Sequence, residues 1–202
     1  TSGIILADNS LVLDVYYKRE VYTVNFVDFN NTNLKTEQVK YLGAATAPTN
    51  PTRVGYTFNS WSVPFNSITG NLDVVANYNI NNYALMFNTA GGAAIPQQIK
   101  NYNTLIILPT PTRDGYEFNG WKLNDEIITE LYLVKNTTIT ATWTIIDYTV
   151  TLNTSGGNQL DGVTVQYGTV IETLPTPTKL DYAFGGWTHN GSAVVLPYTF
   201  TA

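Results

Sequence analysis

Short stretches in which apolar and polar residues alternate recur along this chain, and they predict β-strands. In Tyr22–Phe26 and Tyr148–Leu152 every second residue is apolar, so the apolar side chains share one face of an extended strand. The stretch Thr138–Trp143 alternates in the same way. Closely spaced prolines such as Pro109 and Pro111 block a regular helix. No window predicts a long amphipathic helix, and the chain is therefore expected to be mainly β.

A longer pattern, Pro-Thr-x-x-Gly-Tyr-x-Phe-x-x-Trp, occurs three times and is called the signature below. Its copies begin at Pro51, Pro111 and Pro177, and the third has Asp181 in place of the glycine. Recurrence at this spacing is typical of a tandem array of one small module. The tyrosine and the phenylalanine share one face of a strand, whereas the tryptophan is out of phase by one residue, which predicts a bulge before it. A positive φ is expected at the glycine, and aspartate tolerates that conformation better than most residues.

The landmarks around the signature set the boundaries of the modules. Each copy opens on a strand that begins with tyrosine, and the first two close on a strand that ends in an aromatic residue. The predicted domains are the closing strand of a preceding repeat at 1–20 and three repeats at 21–80, 81–146 and 147–202, the last without its closing strand. A different phase, with units of about 10–70, 71–135 and 136–202, fits the same pattern. The strand near 10–17 has no partner in its own module, and we expect it to pair with the open edge of a third repeat, for instance in another molecule.

Composition agrees with an array of β-modules and argues against several functions. A unit of near 60 residues is at the small end for a self-sufficient core, so the aromatic residues of the signature are predicted to be core residues. The net charge is −5 and no basic stripe is present, which argues against a nucleic-acid partner. No apolar run is long enough to span a bilayer, so this segment is not expected to insert into a membrane. The chain has no cysteine, which excludes disulfides and thiolate metal sites.

Few residues offer catalytic or metal-binding chemistry. His189 is the only histidine, so a triad would need it together with Ser192 or Ser155 and with Asp181 or Asp161, and no Gly-x-Ser-x-Gly elbow is present. The candidates for a carboxylate pair in glycoside hydrolysis are three neighbouring acidic residues of one repeat, Asp125, Glu126 and Glu130. Their sequence context predicts a solvent-exposed turn instead. A calcium site could be sought only at a group that lacks the EF-hand pattern: Asp28, Asn30 and Asn31. We therefore predict no enzyme activity, no cofactor and no metal site.

Ligand binding is expected where the repeats differ. The most divergent stretches follow each tryptophan, at 62–69, 122–130 and 188–196, and loops on a rigid scaffold commonly carry binding. Trp187, His189 and Asn190 are the candidate ligand-binding residues because their loop is the most varied chemically. The same loop contains an Asn-Gly pair at 190–191, which predicts a hairpin turn.

The combination of the tyrosine-led strand, a double glycine, the signature and a strand ending in Tyr or Trp resembles the Listeria–Bacteroides repeat, also called the internalin B-repeat. The resemblance covers about residues 21–202 in three copies. The first copy departs from the pattern at Asn30-Asn31, which stand in place of the double glycine, and the third departs at Asp181. Residues 3–20 resemble the end of a preceding repeat and are also similar to the end of a mucin-binding-protein type repeat.

The resemblance implies a location and a function that the residue patterns do not. It implies tandem β-grasp-like, ubiquitin-resembling modules on large secreted or wall-attached bacterial proteins, hence an extracellular place at the bacterial cell surface or in the medium. It also implies a non-catalytic role as a stalk or spacer, and as an adhesion module whose partners are a host surface protein or glycan and the neighbouring repeats. Two alternatives stay open: a carbohydrate- or mucin-binding module that uses the tyrosines and the divergent loops, and an accessory region of a secreted enzyme.

Overall fold

The computed structural model describes residues 13–201, and all regular elements in that range are β-strands. The mainly β fold predicted from the alternating patterns is therefore confirmed. The chain separates into two compact units, which divide between Asn81 and Asn82. The first unit contains the first repeat, and the second unit contains the second and third repeats.

The first repeat forms one four-stranded sheet with the spatial order β2-β1-β4-β3. Its strands are β1 (Val21–Val27), β2 (Asn33–Lys40), β3 (Tyr56–Trp61) and β4 (Leu72–Ile80). The opening strand β1 is parallel to the closing strand β4, and the other two pairs are antiparallel. Because successive side chains of a strand point to opposite faces, Val24 and Phe26 of β1 lie beside Val74 of β4 in one buried cluster, which Ile68 completes from the preceding loop.

The second repeat builds the same arrangement and adds a hairpin. Its strands are β5 (Asn82–Asn88), β6 (Gln98–Asn101), β7 (Thr104–Ile107), β8 (Tyr116–Leu123), β9 (Glu126–Ile128), β10 (Glu130–Leu133) and β11 (Thr137–Ile145). The main sheet has the order β6-β5-β11-β8-β9, with β5 parallel to the closing strand β11, while β7 and β10 form a separate pair. The core gathers Leu85, Trp121, Leu133 and Ile139, each almost inaccessible to solvent.

The third repeat consists of three separate two-stranded pairs. Its strands are β12 (Asp147–Val150), β13 (Val163–Gln166), β14 (Val170–Ile171), β15 (Thr188–His189), β16 (Ser192–Ala193) and β17 (Tyr198–Thr199). The pairs are β12 with β13, β14 with β17, and β15 with β16. They correspond to the outer pairs of the second repeat. Within residues 147–201 no strand takes the central place that β11 takes, and Val165 is the one buried apolar side chain there.

Two local predictions about the signature are confirmed. The pairing register shifts between Phe58 and Ser60 in the first repeat, and at the corresponding place between β8 and β11 in the second, so a bulge does precede the tryptophan. The signature glycines Gly55 and Gly115 have φ values of 77° and 74°, and Asp181 keeps the same backbone conformation with φ 63°.

Two other expectations differ from the structure. The aromatic residues of the signature are buried or half-buried in the first two repeats, but Tyr182 and Phe184 are exposed in the third, so predicting them as core was wrong for that repeat. A closing strand was also expected near 10–17. Residues 10–12 lie outside the described residues, and residues 13–20 form no strand, because no described strand pairs with them.

Candidate functional site in the third repeat and its junction

The junction between the second and third repeats is one residue long and is hydrogen-bonded on both sides. Strand β11 ends at Ile145 and β12 begins at Asp147, so Ile146 alone connects them. The amide of Ile146 donates to the carbonyl oxygen of Gly115 in the second repeat at 2.9 Å, and its own carbonyl accepts from the amide of Tyr167 in the third at 3.3 Å. The linking residue is therefore held by both modules.

A tyrosine of the third repeat also occupies the space beside the signature glycine of the second. A methyl group added at Gly115 would overlap the ring of Tyr167, and the φ of 74° at Gly115 disfavours a side chain in any case. Position 115 therefore requires glycine for two reasons, the positive φ of the turn and the close approach of the Tyr167 ring. The sequence predicted Gly115 as a turn residue, but no sequence signal indicated that Tyr167 would lie beside it.

The third repeat contains an open groove of about 520 Å³. Its apolar lining comes from β12, from the proline-rich segment and from the signature: Val150, Leu152, Leu174, Phe184, Trp187 and Val194. A second hollow of about 320 Å³ shares Val150, Leu174, His189 and Val194 with it and extends towards Phe200. In the second repeat the corresponding positions belong to the core cluster, among them Leu85 for Val150 and Trp121 for Trp187. The groove is thus the core region of a module in which the central strand is missing from the described residues.

Two of the three predicted ligand-binding residues line this groove. Trp187 and His189 line it, and the indole Nε1 of Trp187 donates to the carbonyl oxygen of Pro175 at 3.0 Å, as Trp121 donates to Pro109 in the second repeat at 2.6 Å. Asn190 and Gly191 have φ values of 49° and 80° and form the predicted hairpin turn between β15 and β16. The amide Nδ2 of Asn190 donates to Nε2 of His189 at 3.1 Å.

A cation lies over the signature tyrosine in every repeat. Arg113 Cζ is 3.6 Å from the centre of the Tyr116 ring, and its Nη1 donates to the carbonyl oxygen of Ala90 at 3.0 Å. In the third repeat Lys179 Nζ is 4.6 Å from the centre of the Tyr182 ring and donates to the carbonyl oxygen of Ser155 at 3.0 Å. In the first repeat Arg53 lies over both Tyr56 and Phe29, at 3.7 and 4.0 Å. Each cation connects the signature to the loop after the opening strand.

The residues considered for a triad are not assembled as one. Among the described residues the His189 ring bonds to Asn190, and it makes no hydrogen bond to Ser192, Ser155, Asp181 or Asp161. Asp125 lies in the turn between β8 and β9 and pairs with Lys122 at 2.9 Å, and the hydrogen bond from Lys122 lowers the pKa of the Asp125 carboxyl. Glu126 and Glu130 are exposed at the starts of β9 and β10.

The oxygens considered for calcium are engaged within their own repeat. Asp28 Oδ1 accepts from the Tyr78 hydroxyl at 2.6 Å and from the amide of Phe29 at 2.8 Å. Asn30 Oδ1 accepts from the amide of Thr32 at 3.1 Å, and Asn31 takes a positive φ in the turn. Across residues 13–201 no three His, Asp or Glu side chains converge as metal ligands would, and no helix there is long and apolar enough to cross a membrane.

Comparison with protein families finds one repeated match. The profile of the Listeria-Bacteroides repeat domain matches residues 22–81, 83–146 and 148–202. These three stretches coincide closely with the three bodies of strands described above.

Three relatives show the context in which such repeats occur. Two proteins of Evansella cellulosilytica have names that describe a membrane protein and a Gly-rich membrane protein. They are 33% and 26% identical to this chain in alignments that cover 87% and 88% of it. Internalin H of Listeria monocytogenes is 33% identical in an alignment that covers 37% of this chain. The chain spans only 29%, 22% and 15% of the lengths of these proteins.

Proposed function

We propose that this chain, which belongs to the Listeria-Bacteroides repeat domain family, is a non-catalytic segment that spaces other parts of a bacterial surface protein from the cell. Two relatives bear names that describe membrane proteins and a third is an internalin, and each is several times longer than this chain. That likeness supports a cell-surface location and a role as one segment of a longer protein. The adhesive part of such a protein would lie elsewhere in its chain.

The observation that carries the proposal is the junction at Ile146. A spacer transmits distance only if successive modules keep their mutual orientation, and flexible linkers fail to do so. Here the linker is one residue, both of its backbone groups are bonded, and Tyr167 fills the space beside Gly115. Rotation of the third repeat against the second would break these hydrogen bonds and expose the ring. The first repeat makes the hydrogen bond that corresponds to the one between Ile146 and Gly115. The amide of Asn81, which follows the closing strand, donates to the carbonyl oxygen of Gly55 at 2.9 Å.

The orientation of the two repeats can be measured by distances between spin labels. The chain has no cysteine, so labels can be placed at Glu126→Cys in the second repeat and Thr164→Cys in the third, both exposed. We expect a narrow distribution of distances. Gly115→Ala should broaden it, because the new methyl group displaces the Tyr167 ring. Tyr167→Ala should broaden it as well, and it leaves the backbone of the turn intact.

Gly168→Ala is the matched control. Gly168 has a φ of 79°, nearly that of Gly115, but nothing lies within 4 Å of the position of its Cβ. It therefore carries the same backbone strain, about 1–2 kcal/mol, without the clash, and the distribution should stay narrow. A distance distribution that is already broad in the unmutated protein would contradict the spacer function. So would a distribution that stays equally narrow in Gly115→Ala and in Tyr167→Ala.

A second candidate function is recognition of a carbohydrate or mucin. It is favoured by Tyr182 and Phe184, whose rings are exposed in the third repeat although the signature buries or half-buries them elsewhere. Binding of the chain to a glycan and mucin array tests it, beside a variant in which 188–196 and 122–130 are replaced by Gly-Ser. Specific binding that is lost in the variant would support recognition. Absence of binding by the folded protein would contradict recognition and favour the spacer function.

A further inference from the structure

The turn at Asn190 and Gly191 places a reactive pair of residues in open surroundings. The pair is the two-residue loop between β15 and β16, and His189 pairs with Ser192 across it. Asn190 and Gly191 are both exposed, and apart from its chain neighbours nothing lies within 4 Å of the position of a Cβ at Gly191. Among the described residues no group accepts a hydrogen bond from the amide of Gly191. The backbone nitrogen of Gly191 is therefore accessible and is not engaged in the fold.

The second repeat makes the same turn with the same exposure, although its sheet contains a closing strand. Asn124 and Asp125 form the two-residue loop between β8 and β9, with φ values of 49° and 70°, where Asn190 and Gly191 have 49° and 80°. Both residues of the second-repeat loop are exposed. The exposure is thus a property of the hairpin itself. What distinguishes the third repeat is the glycine in the second place of the turn.

We propose that Asn190 is a site of spontaneous covalent modification, in which the backbone nitrogen of Gly191 attacks the side-chain carbon Cγ of Asn190. The nitrogen gives its proton to water and forms a bond to Cγ, and Nδ2 takes up a proton and leaves as ammonia. The product is a cyclic imide. Water then opens the ring: cleavage of the bond to Cγ gives aspartate, and cleavage of the bond to the backbone carbonyl carbon gives isoaspartate. The net reaction is hydrolysis of an amide, and nothing is oxidised or reduced.

The local structure favours this ring closure at Asn190. Glycine has no Cβ that would crowd the approach of its nitrogen to the asparagine side chain, and its backbone is the least restricted. In the turn of the second repeat Asp125 carries a side chain, which pairs with Lys122 at 2.9 Å. The amide Nδ2 of Asn190 contacts Nε2 of His189 at 3.1 Å. Because His189 is its neighbour in the chain and is itself exposed, this contact restrains the asparagine little.

The modification changes the charge and the main chain of the hairpin. Either product has a carboxylate in place of the neutral amide, beside His189, which lines the groove. Isoaspartate also adds a methylene group to the main chain between His189 and Ser192, which disturbs the register of that pair. The next link of the hairpin, from the amide of Val194 to the carbonyl oxygen of Trp187 at 2.8 Å, should then weaken. The proposal does not depend on the spacer function, since its chemistry is confined to one turn.

A second Asn-Gly pair in the chain serves as an internal control. Asn119 and Gly120 lie within β8, where Gly120 pairs with Thr142 of the closing strand. Nδ2 of Asn119 donates to Oγ1 of Thr144 at 2.8 Å, and a Cβ at Gly120 would lie 2.4 Å from Cγ2 of Ile127. Ring closure at Asn119 therefore requires local opening of the sheet. The same pair of residues is held in the second repeat and free in the third.

Peptide mapping by mass spectrometry tests the proposal on the folded chain after incubation in a mildly alkaline buffer. Asn190 should be converted at least about ten times faster than Asn119, because ring closure at Asn119 must first break strand hydrogen bonds. Isoaspartate should appear at position 190, since direct hydrolysis of the side chain would give aspartate alone. In concentrated urea both asparagines should be converted at similar rates, which assigns the difference to the fold.

Exchange of one residue between the two turns sharpens the test. Gly191→Asp gives the third repeat the residue that the second repeat has at this place with a positive φ, and it should slow conversion of Asn190 several-fold. Asp125→Gly should make Asn124 a new site. Three outcomes would each overturn the proposal: equal rates at Asn190 and Asn119 in the folded chain, conversion of Asn190 without isoaspartate, or an Asn190 that stays unchanged when folded while it is converted in urea.

Discussion

The second and third repeats share the signature but differ in how much of it they bury. Both hold the indole of their signature tryptophan against a proline carbonyl, and both place a cation over the signature tyrosine. Yet Tyr116 and Phe118 are half-buried in the second repeat, whereas the equivalent Tyr182 and Phe184 are exposed in the third. Trp121 is buried, and the equivalent Trp187 is only half-buried. In the second repeat β11 lies between β5 and β8 and covers these rings. Within residues 147–201 no strand takes the corresponding place, and the signature rings of that stretch are the more exposed ones.

The closing strand acts through its small and medium side chains as much as through its aromatic end. Ile139 and Ala141 of β11 are buried and bring the opening strand and the signature strand together. At its end, Trp143 donates from Nε1 to the carbonyl oxygen of Thr89 at 2.9 Å and packs over Gly92. The double glycine after the opening strand thus has a packing role in the second repeat in addition to its turn.

The largest expected effect comes from truncating the two equivalent tryptophans. Trp121→Ala should lower the free energy of unfolding of the second repeat by about 3–5 kcal/mol, the usual cost of removing a fully buried tryptophan. Trp187→Ala should cost roughly 1 kcal/mol or less, because this ring is only half-buried beside an open groove. Both variants lose the same hydrogen bond, so the difference between them isolates the packing.

Chemical denaturation followed by NMR signals from each repeat measures both values separately. Repeat-specific signals are needed because an array need not unfold in one transition. Equal costs for Trp121→Ala and Trp187→Ala would mean that the third repeat is closed in solution, and the comparison would then fail.

The sequence predicted the parts that are local and repeated, and it missed the parts that depend on a neighbour. The bulge before Trp61, the positive φ at Asp181 and the hairpin turn at Asn190 each follow from a few adjacent residues, and each is confirmed. The resemblance to the Listeria–Bacteroides repeat is confirmed as well. Burial of Phe184 and Tyr182 could not be judged from the signature, since burial of the signature rings depends on contacts with a closing strand that lies outside the signature. The contact of Tyr167 with Gly115 joins residues of two modules, and no periodicity indicates it.

A smaller effect is expected from the cations that lie over the signature tyrosines. Arg113→Ala should cost the second repeat about 1–2 kcal/mol, because it loses a cation–π contact and a hydrogen bond to the Ala90 carbonyl. Lys179→Ala should cost the third repeat under about 0.5 kcal/mol, because its ammonium and the Tyr182 ring are both exposed. Arg113→Lys places in the second repeat the residue that the third repeat has at this position. The free energy of unfolding that it costs should fall between the values for Arg113→Ala and Lys179→Ala. If Lys179→Ala destabilised its repeat as strongly as Arg113→Ala, exposure would not explain the difference.

The smallest effect, confined to alkaline pH, concerns the aromatic end of the closing strand. In the first repeat Tyr78 takes the place of Trp143 and donates its hydroxyl to Asp28. Burial and this hydrogen bond, with the nearby negative charge, raise the pKa of Tyr78 to about 12. The folded first repeat therefore keeps a proton that the unfolded chain releases near pH 10, the ordinary tyrosine value.

Stability from this group is fully present below pH 10 and is lost as the pH rises towards 12. Tyr78→Phe should remove that part of the decline in the free energy of unfolding, measured from the signals of the first repeat. Tyr182→Phe is the control, because it removes an exposed hydroxyl in the other unit and leaves the hydrogen bond from Tyr78 to Asp28 intact, so the alkaline decline of the first repeat should remain. Were the alkaline decline identical in the unmutated chain and in Tyr78→Phe, the closing strand would not hold Tyr78 protonated, and its aromatic end would contribute by packing alone.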